Sequence, residues 1–107
     1  MPLDDRPGGW SRVGISTGER LFLVERYWPG VTSTTLDPAL VRLRVEAAQL
    51  TDAGEQVRHM GSLLMTADET VFCLFRAASR ASLVRANKRA AMPCDRIAEA
   101  TWIGDIG

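Results

Sequence analysis

An α+β sandwich with the order strand–helix–strand–strand–helix–strand is what the sequence predicts, on three observations. Apolar residues recur at helical spacing in two segments, one between Leu36 and Leu50 and one between Leu83 and Ala90. Four other segments are dense in aliphatic and aromatic residues, the composition of strands. Breakers separate them: Pro29-Gly30, Gly54 and Pro93. With 107 residues the chain is long enough for one core and too short for two.

Residues 1–18 hold four glycines and two prolines without hydrophobic period, the pattern of a flexible N-terminal extension in which Trp10 is the large anchor. A single domain over 19–107 follows. Leu21 to Trp28 is apolar and aromatic and stops at Pro29-Gly30, a strand and its turn. Leu36, Ala39, Leu40, Leu43, Ala47 and Leu50 then form the apolar stripe of an amphipathic helix. Asp37-Pro38 suits an N-cap and first helical position, with Thr32 as the cap of a longer version, and Gly54 is the natural stop.

Val57 to Thr66 and Thr70 to Ala77 read as a hairpin turning around Ala67-Asp68-Glu69. A turn centred on Asp68 sets Leu63 opposite Cys73 and Gly61 opposite Phe75. Ser79 can cap a second helix running to Ala91, with Leu83, Ala86, Ala90 and Val84 as its inward candidates. Pro93 ends that helix, Met92 folds back as a gap-filler, and Asp95 to Ile103 supplies the last strand.

This order is the split pattern of the ferredoxin-like sandwich. Both crossovers carry helices, so one face of a four-stranded antiparallel sheet is covered and the other is bare. A bare face of Leu, Phe and Met is costly in water, at roughly 25 cal/mol per Å² of apolar area. The expected consequence is a homodimer through that face.

Composition narrows the function classes. Thirteen basic residues balance 13 acidic ones, which disfavours nucleic acid as a partner. No apolar run approaches the length of a membrane span, and MPLDDRPGGW lacks the apolar stretch of a secretory signal. Two cysteines, Cys73 and Cys94, make no disulfide framework, so a cytoplasmic setting is expected. There is no glycine-rich phosphate loop and no paired-cysteine metal motif, and Ser79 and Ser82 have no histidine near them for a hydrolase triad.

Phe22-Leu23-Val24-Glu25-Arg26, Thr70-Val71-Phe72-Cys73-Leu74-Phe75 and Ala90-Ala91-Met92-Pro93-Cys94-Asp95-Arg96-Ile97 together resemble a family of small bacterial proteins. Most of its members are described as domains of unknown function, and one branch as nickel-binding. The resemblance covers roughly residues 20–103 and implies a ferredoxin-like, dimeric protein. It also implies a histidine in the second helix where Ala86 stands, a tryptophan where His59 stands, and Gly-Phe-Pro where Ala91-Met92-Pro93 stands. The missing imidazole weakens a nickel role carried over from the family. Cys94 occupies a place where the family has a small residue such as alanine.

The residues themselves offer few metal donors. His59 is the single histidine, and with Glu25 it is the candidate metal pair. Cys73 shares a hairpin face with His59, but the expected register separates them by roughly 13 Å, leaving only a pairing across a dimer. Cys73 otherwise alternates with Val71 and Phe75 as a small core residue. Glu25 shares a strand face with Leu21, Leu23 and Tyr27, where it acts as a metal ligand, as a base, or in an ion pair with Arg26, Arg76 or a partner's arginine. Tyr27 and Cys73 are the candidate cleft residues. Arg80, Arg85, Lys88 and Arg89 form a basic face that is either solvated or a surface for an anion or partner.

These observations lead to a non-enzymatic, cytoplasmic homodimer holding a divalent metal such as nickel, or a small ligand, at its interface cleft. The alternatives are a cofactor-free enzyme of the dimeric α+β barrel type, an oxygenase or isomerase, and a purely assembling domain.

Overall fold

The computed structural model describes residues 19–105; the expected N-terminal extension and Trp10 lie outside the described residues. The elements are β1 (Arg20–Tyr27), α1 (Ser33–Asp52), β2 (Val57–Met65), a 3-10 turn (Thr66–Asp68), β3 (Thr70–Ala77), α2 (Arg80–Arg89) and β4 (Arg96–Ala100). The strands form one antiparallel sheet in the order β2-β3-β1-β4. This is the ferredoxin-like fold.

Helix α1 takes the longer of its two expected starts. The Thr32 side chain accepts from the Thr35 amide while Thr35 Oγ1 accepts from the Thr32 amide, a reciprocal cap that satisfies two amides at once. Asp37-Pro38 therefore lies inside the helix rather than at its start. Proline there removes one amide near the exposed first turn, where water can satisfy the freed carbonyl. The six residues of the predicted stripe are the six buried residues of α1.

Both helices end in the same way with different residues. Gly54 (φ +95°) closes α1 with Gly54 N–H on the Thr51 carbonyl and Glu55 N–H on the Leu50 carbonyl. In α2, Ala91 takes the glycine role at φ +55°, with Ala91 N–H on the Lys88 carbonyl and Met92 N–H on the Asn87 carbonyl. The helix thus ends at Arg89, before Pro93 can act. The last strand is also shorter than expected, stopping at Ala100, where the pairing with Leu21 of β1 ends.

The sheet has two unlike faces. Phe22 and Val24 of β1, Val71, Cys73, Phe75 and Ala77 of β3, and Val57 of β2 point under the helices and meet Leu43, Leu50, Leu83 and Ala86 in one core. Leu23, Phe72 and Leu74 alternate to the other face, which no element among the described residues covers.

The hairpin register differs from the expected one. Ser62, rather than Leu63, pairs with Cys73, and His59, rather than Gly61, pairs with Phe75. A bulge between His59 and Gly61 absorbs one residue, Met60. Its effect is to keep both His59 and Ser62 on the helix side, three residues apart, where a regular strand would put them on opposite faces.

Candidate functional site

The alternation that buries Phe22 and Val24 also buries Arg26, which is 0% exposed. Its Nε donates to Cys73 Sγ at 3.4 Å and its Nη1 to the Pro93 carbonyl at 2.7 Å. The third nitrogen, Nη2, is buried without a partner among the described residues. No carboxylate among them pairs with this guanidinium. An ion so placed is costly, and its stability rests on the acceptors it does have.

Cys73 receives a second donor. Ser62 Oγ lies 2.9 Å from Cys73 Sγ, and His59 Nε2 lies 2.8 Å from Ser62 Oγ. Arg44 Nε donates to His59 Nδ1 at 3.3 Å. Because arginine is only a donor, Nδ1 must accept, and the ring proton is assigned to Nε2. The hydrogen bonds then run one way, from Arg44 through His59 and Ser62 to the sulfur, with Arg26 arriving from the opposite side. Burial, followed by the charges of Arg44 and Arg26, lowers the His59 pKa to about 4, so the ring is neutral at pH 7.

The bare face holds different groups. Glu25 points there with Arg96 at 4.0 Å, a solvated pair of little energetic weight. Arg26 and Glu25 belong to opposite faces, so the ion pair expected between them is absent and Arg96 takes that place. Tyr27 is exposed on the Glu25 side, its hydroxyl 3.4 Å from a Glu69 carboxylate oxygen. An apolar groove of about 510 Å³ crosses the face between Leu23, Leu63, Phe72, Leu74 and Trp102.

Glu25 and His59 are therefore separated by the sheet, and one protomer does not bring them to a common ion. Cys73, expected at a cleft, is fully buried on the helix side, while Tyr27 is on the open side. His59 and Cys73 are much closer than the expected register allowed, joined through Ser62. On α2, Arg80 donates to the Ile97 carbonyl and Arg85 to Glu55, so half of the basic face is engaged within the protomer. Lys88 and Arg89 occupy the last turn, where cations suit the helix dipole.

As a nickel site, one protomer fits poorly. The described residues contain no group of three or more His, Cys, Asp or Glu side chains able to share an ion. The lone pair of His59 already accepts from Arg44, and two guanidiniums flank the His59–Cys73 chain, where they would repel a dication. Ala86, which stands where the resemblance implies a histidine, is fully buried in the core.

Period-two alternation in β1 already placed Arg26 with Phe22 and Val24, so its burial was readable. Ser62 was missed because the turn was centred on Asp68, whereas Met65 pairs with Thr70 and so brings Ser62 rather than Leu63 opposite Cys73. The bulge that keeps His59 on the same side had an available signal in Gly61, a glycine inside a strand.

Among curated proteins, none matches the chain. Among solved structures, the crystal structure of SCO4226 from Streptomyces coelicolor A3(2) is similar, with 25% identity and a TM-score of 0.62. The match spans 78% of this chain and 99% of that one. Residues 22–100, which hold both helices and all of the sheet except Arg20 and Leu21, match the family described as nickel responsive protein SCO4226-like. On that match and that shared fold, the chain belongs to the SCO4226-like family of nickel responsive proteins.

Proposed function

We propose that the protein is a cytoplasmic, non-enzymatic homodimer that holds a divalent metal such as nickel, or a small ligand, in the cleft between two open sheet faces. The observation that carries this reading is the uncovered face. Its groove is apolar, and Leu63 at its edge is 64% exposed. Large apolar side chains left in water on a strand face favour a second sheet.

The family supports the metal part of the reading, and the donor count gives it a form. Because the described residues of a protomer gather no three donors, side chains from both copies would complete a metal shell. Glu25 is the carboxylate on the open face that two copies can share, with Tyr27 beside it. His59, on the covered side, is outside this cleft. Lys88 and Arg89 remain the part of the basic face open to an anionic group or partner.

Light scattering and calorimetric titration with nickel test the two parts separately. The wild type should have twice the protomer mass and bind nickel saturably, with binding lost in Glu25→Gln and retained in His59→Ala. A monomer at micromolar concentration refutes the cleft. A dimer without saturable nickel binding removes the metal and leaves the small-ligand version.

A further inference from the structure

We propose that Cys73 is an oxidant-sensitive thiol whose sulfenic acid is held by Arg26 and Ser62, the oxidant being a small hydroperoxide. The site is on the covered side of the sheet and is independent of the dimer cleft.

A buried cysteine in a core is ordinarily surrounded by hydrocarbon and inert. Here the sulfur is surrounded by donors. Arg26 Nε at 3.4 Å and Ser62 Oγ at 2.9 Å both point at it, and the Ser62 hydroxyl is oriented by His59. The guanidinium itself is the second observation. It is 0% exposed, it has no carboxylate among the described residues, and its Nη2 has no acceptor.

Nε and Nη2 share one edge of the planar guanidinium fork, and this edge is the one that binds two oxygens of an anion side by side. One arm of that edge is on the sulfur and the other is empty beside it. An oxygen added to Cys73 Sγ would give Nη2 the acceptor it lacks. Arginine is suited to the role because its fork is rigid and its charge permanent.

In the step, Cys73 Sγ attacks the terminal oxygen of the hydroperoxide. An S–O bond forms as the O–O bond breaks, the sulfur is oxidised by two electrons and the peroxide is reduced by two. The proton first carried by the thiol leaves with the departing oxygen, as an alcohol or as water. The approach is through His59, which lines an open groove of about 490 Å³ between α1 and β2 and touches Ser62. Complete burial of Cys73 restricts the oxidant to one small enough to pass when that ring moves.

The test uses the full chain carrying Cys94→Ser, so that Cys73 is the single thiol. The protein is exposed to hydrogen peroxide, quenched at intervals into denaturant containing dimedone, and the Cys73 adduct is followed by mass spectrometry. The folded protein should form the adduct faster than the same protein in urea. Arg26→Met should slow the folded rate by about tenfold or more, the size of one lost charge-assisted hydrogen bond. Thermal melting shows whether Arg26→Met still folds. Should that variant fail to fold, Ser62→Ala carries the comparison, with a severalfold slowing expected. An adduct that forms no faster in the folded protein than in urea overturns the proposal, as does a rate that neither substitution changes.

Discussion

Lowering the pH from 7.5 to 4.5 should cost this protein stability through His59. In the folded chain its Nδ1 accepts from Arg44 and its Nε2 proton goes to Ser62. A second ring proton would have to sit on Nδ1, facing a guanidinium N–H, in a partly buried position. Burial and the two arginines bring the folded pKa from 6.5 to about 4. The unfolded chain therefore binds more protons in that window, and stability is intact above about 6.5 and lost as the pH falls toward 4. Fully expressed, such a shift corresponds to roughly 3 kcal/mol, which water reaching a half-buried ring cuts to about 1–2 kcal/mol. Urea unfolding at fixed protein concentration, at several pH values across this range, measures it. His59→Gln is the control, since its amide can accept from Arg44 and donate to Ser62 without titrating. Carboxylates titrate in both proteins, so the difference between them isolates the imidazole. Equal losses in wild type and His59→Gln between pH 6.5 and 4.5 would refute the reasoning.

Three further substitutions probe the scaffold. Ala91→Gly should stabilise the protein by about 0.5–1 kcal/mol, because Ala91 holds φ +55° at the end of α2 and glycine adopts it without a Cβ clash; a lower urea midpoint would contradict this. Leu43→Ala, at a fully buried position on α1, should cost about 3–4 kcal/mol in the same assay. Glu55 is held below the ordinary carboxylate range by hydrogen bonds from Arg85 and Ser82, which tie the end of α1 to α2. Its contribution is present above the unfolded carboxylate range and lost as the pH falls through the lowered folded value. Glu55→Gln should therefore lower the melting temperature at pH 7, and by less as the pH is brought down into the acid range.

Much of the fold was legible because it rests on periodicities that local sequence carries. The stripe from Leu36 to Leu50 names the buried face of α1 residue by residue, and alternation in β1 separates Phe22, Val24 and Arg26 from Leu23 and Glu25. Gly54 marks a helix end because its backbone conformation disfavours a side chain. Ala91 adopts a similar conformation with no such mark, which is why Pro93 looked like the terminator. The start of α1 was ambiguous for a comparable reason, since a capping pair and an Asp-Pro step lie within a few residues and only the competition between them decides.

The candidate site was less legible because it depends on register. By itself the sequence determined the order of elements, the alternating faces of β1 and β3, and that the helices cover one face of the sheet. Only the tertiary structure decided that the turn sets Ser62 opposite Cys73, that a single extra residue at Met60 keeps His59 on the same side, and that Glu25 and His59 lie on opposite sides. The physical reason is that alternation assigns a side chain to a face within its own strand, whereas opposition across strands depends on every residue between it and the turn. One bulge changes the second without disturbing the composition from which the first is read.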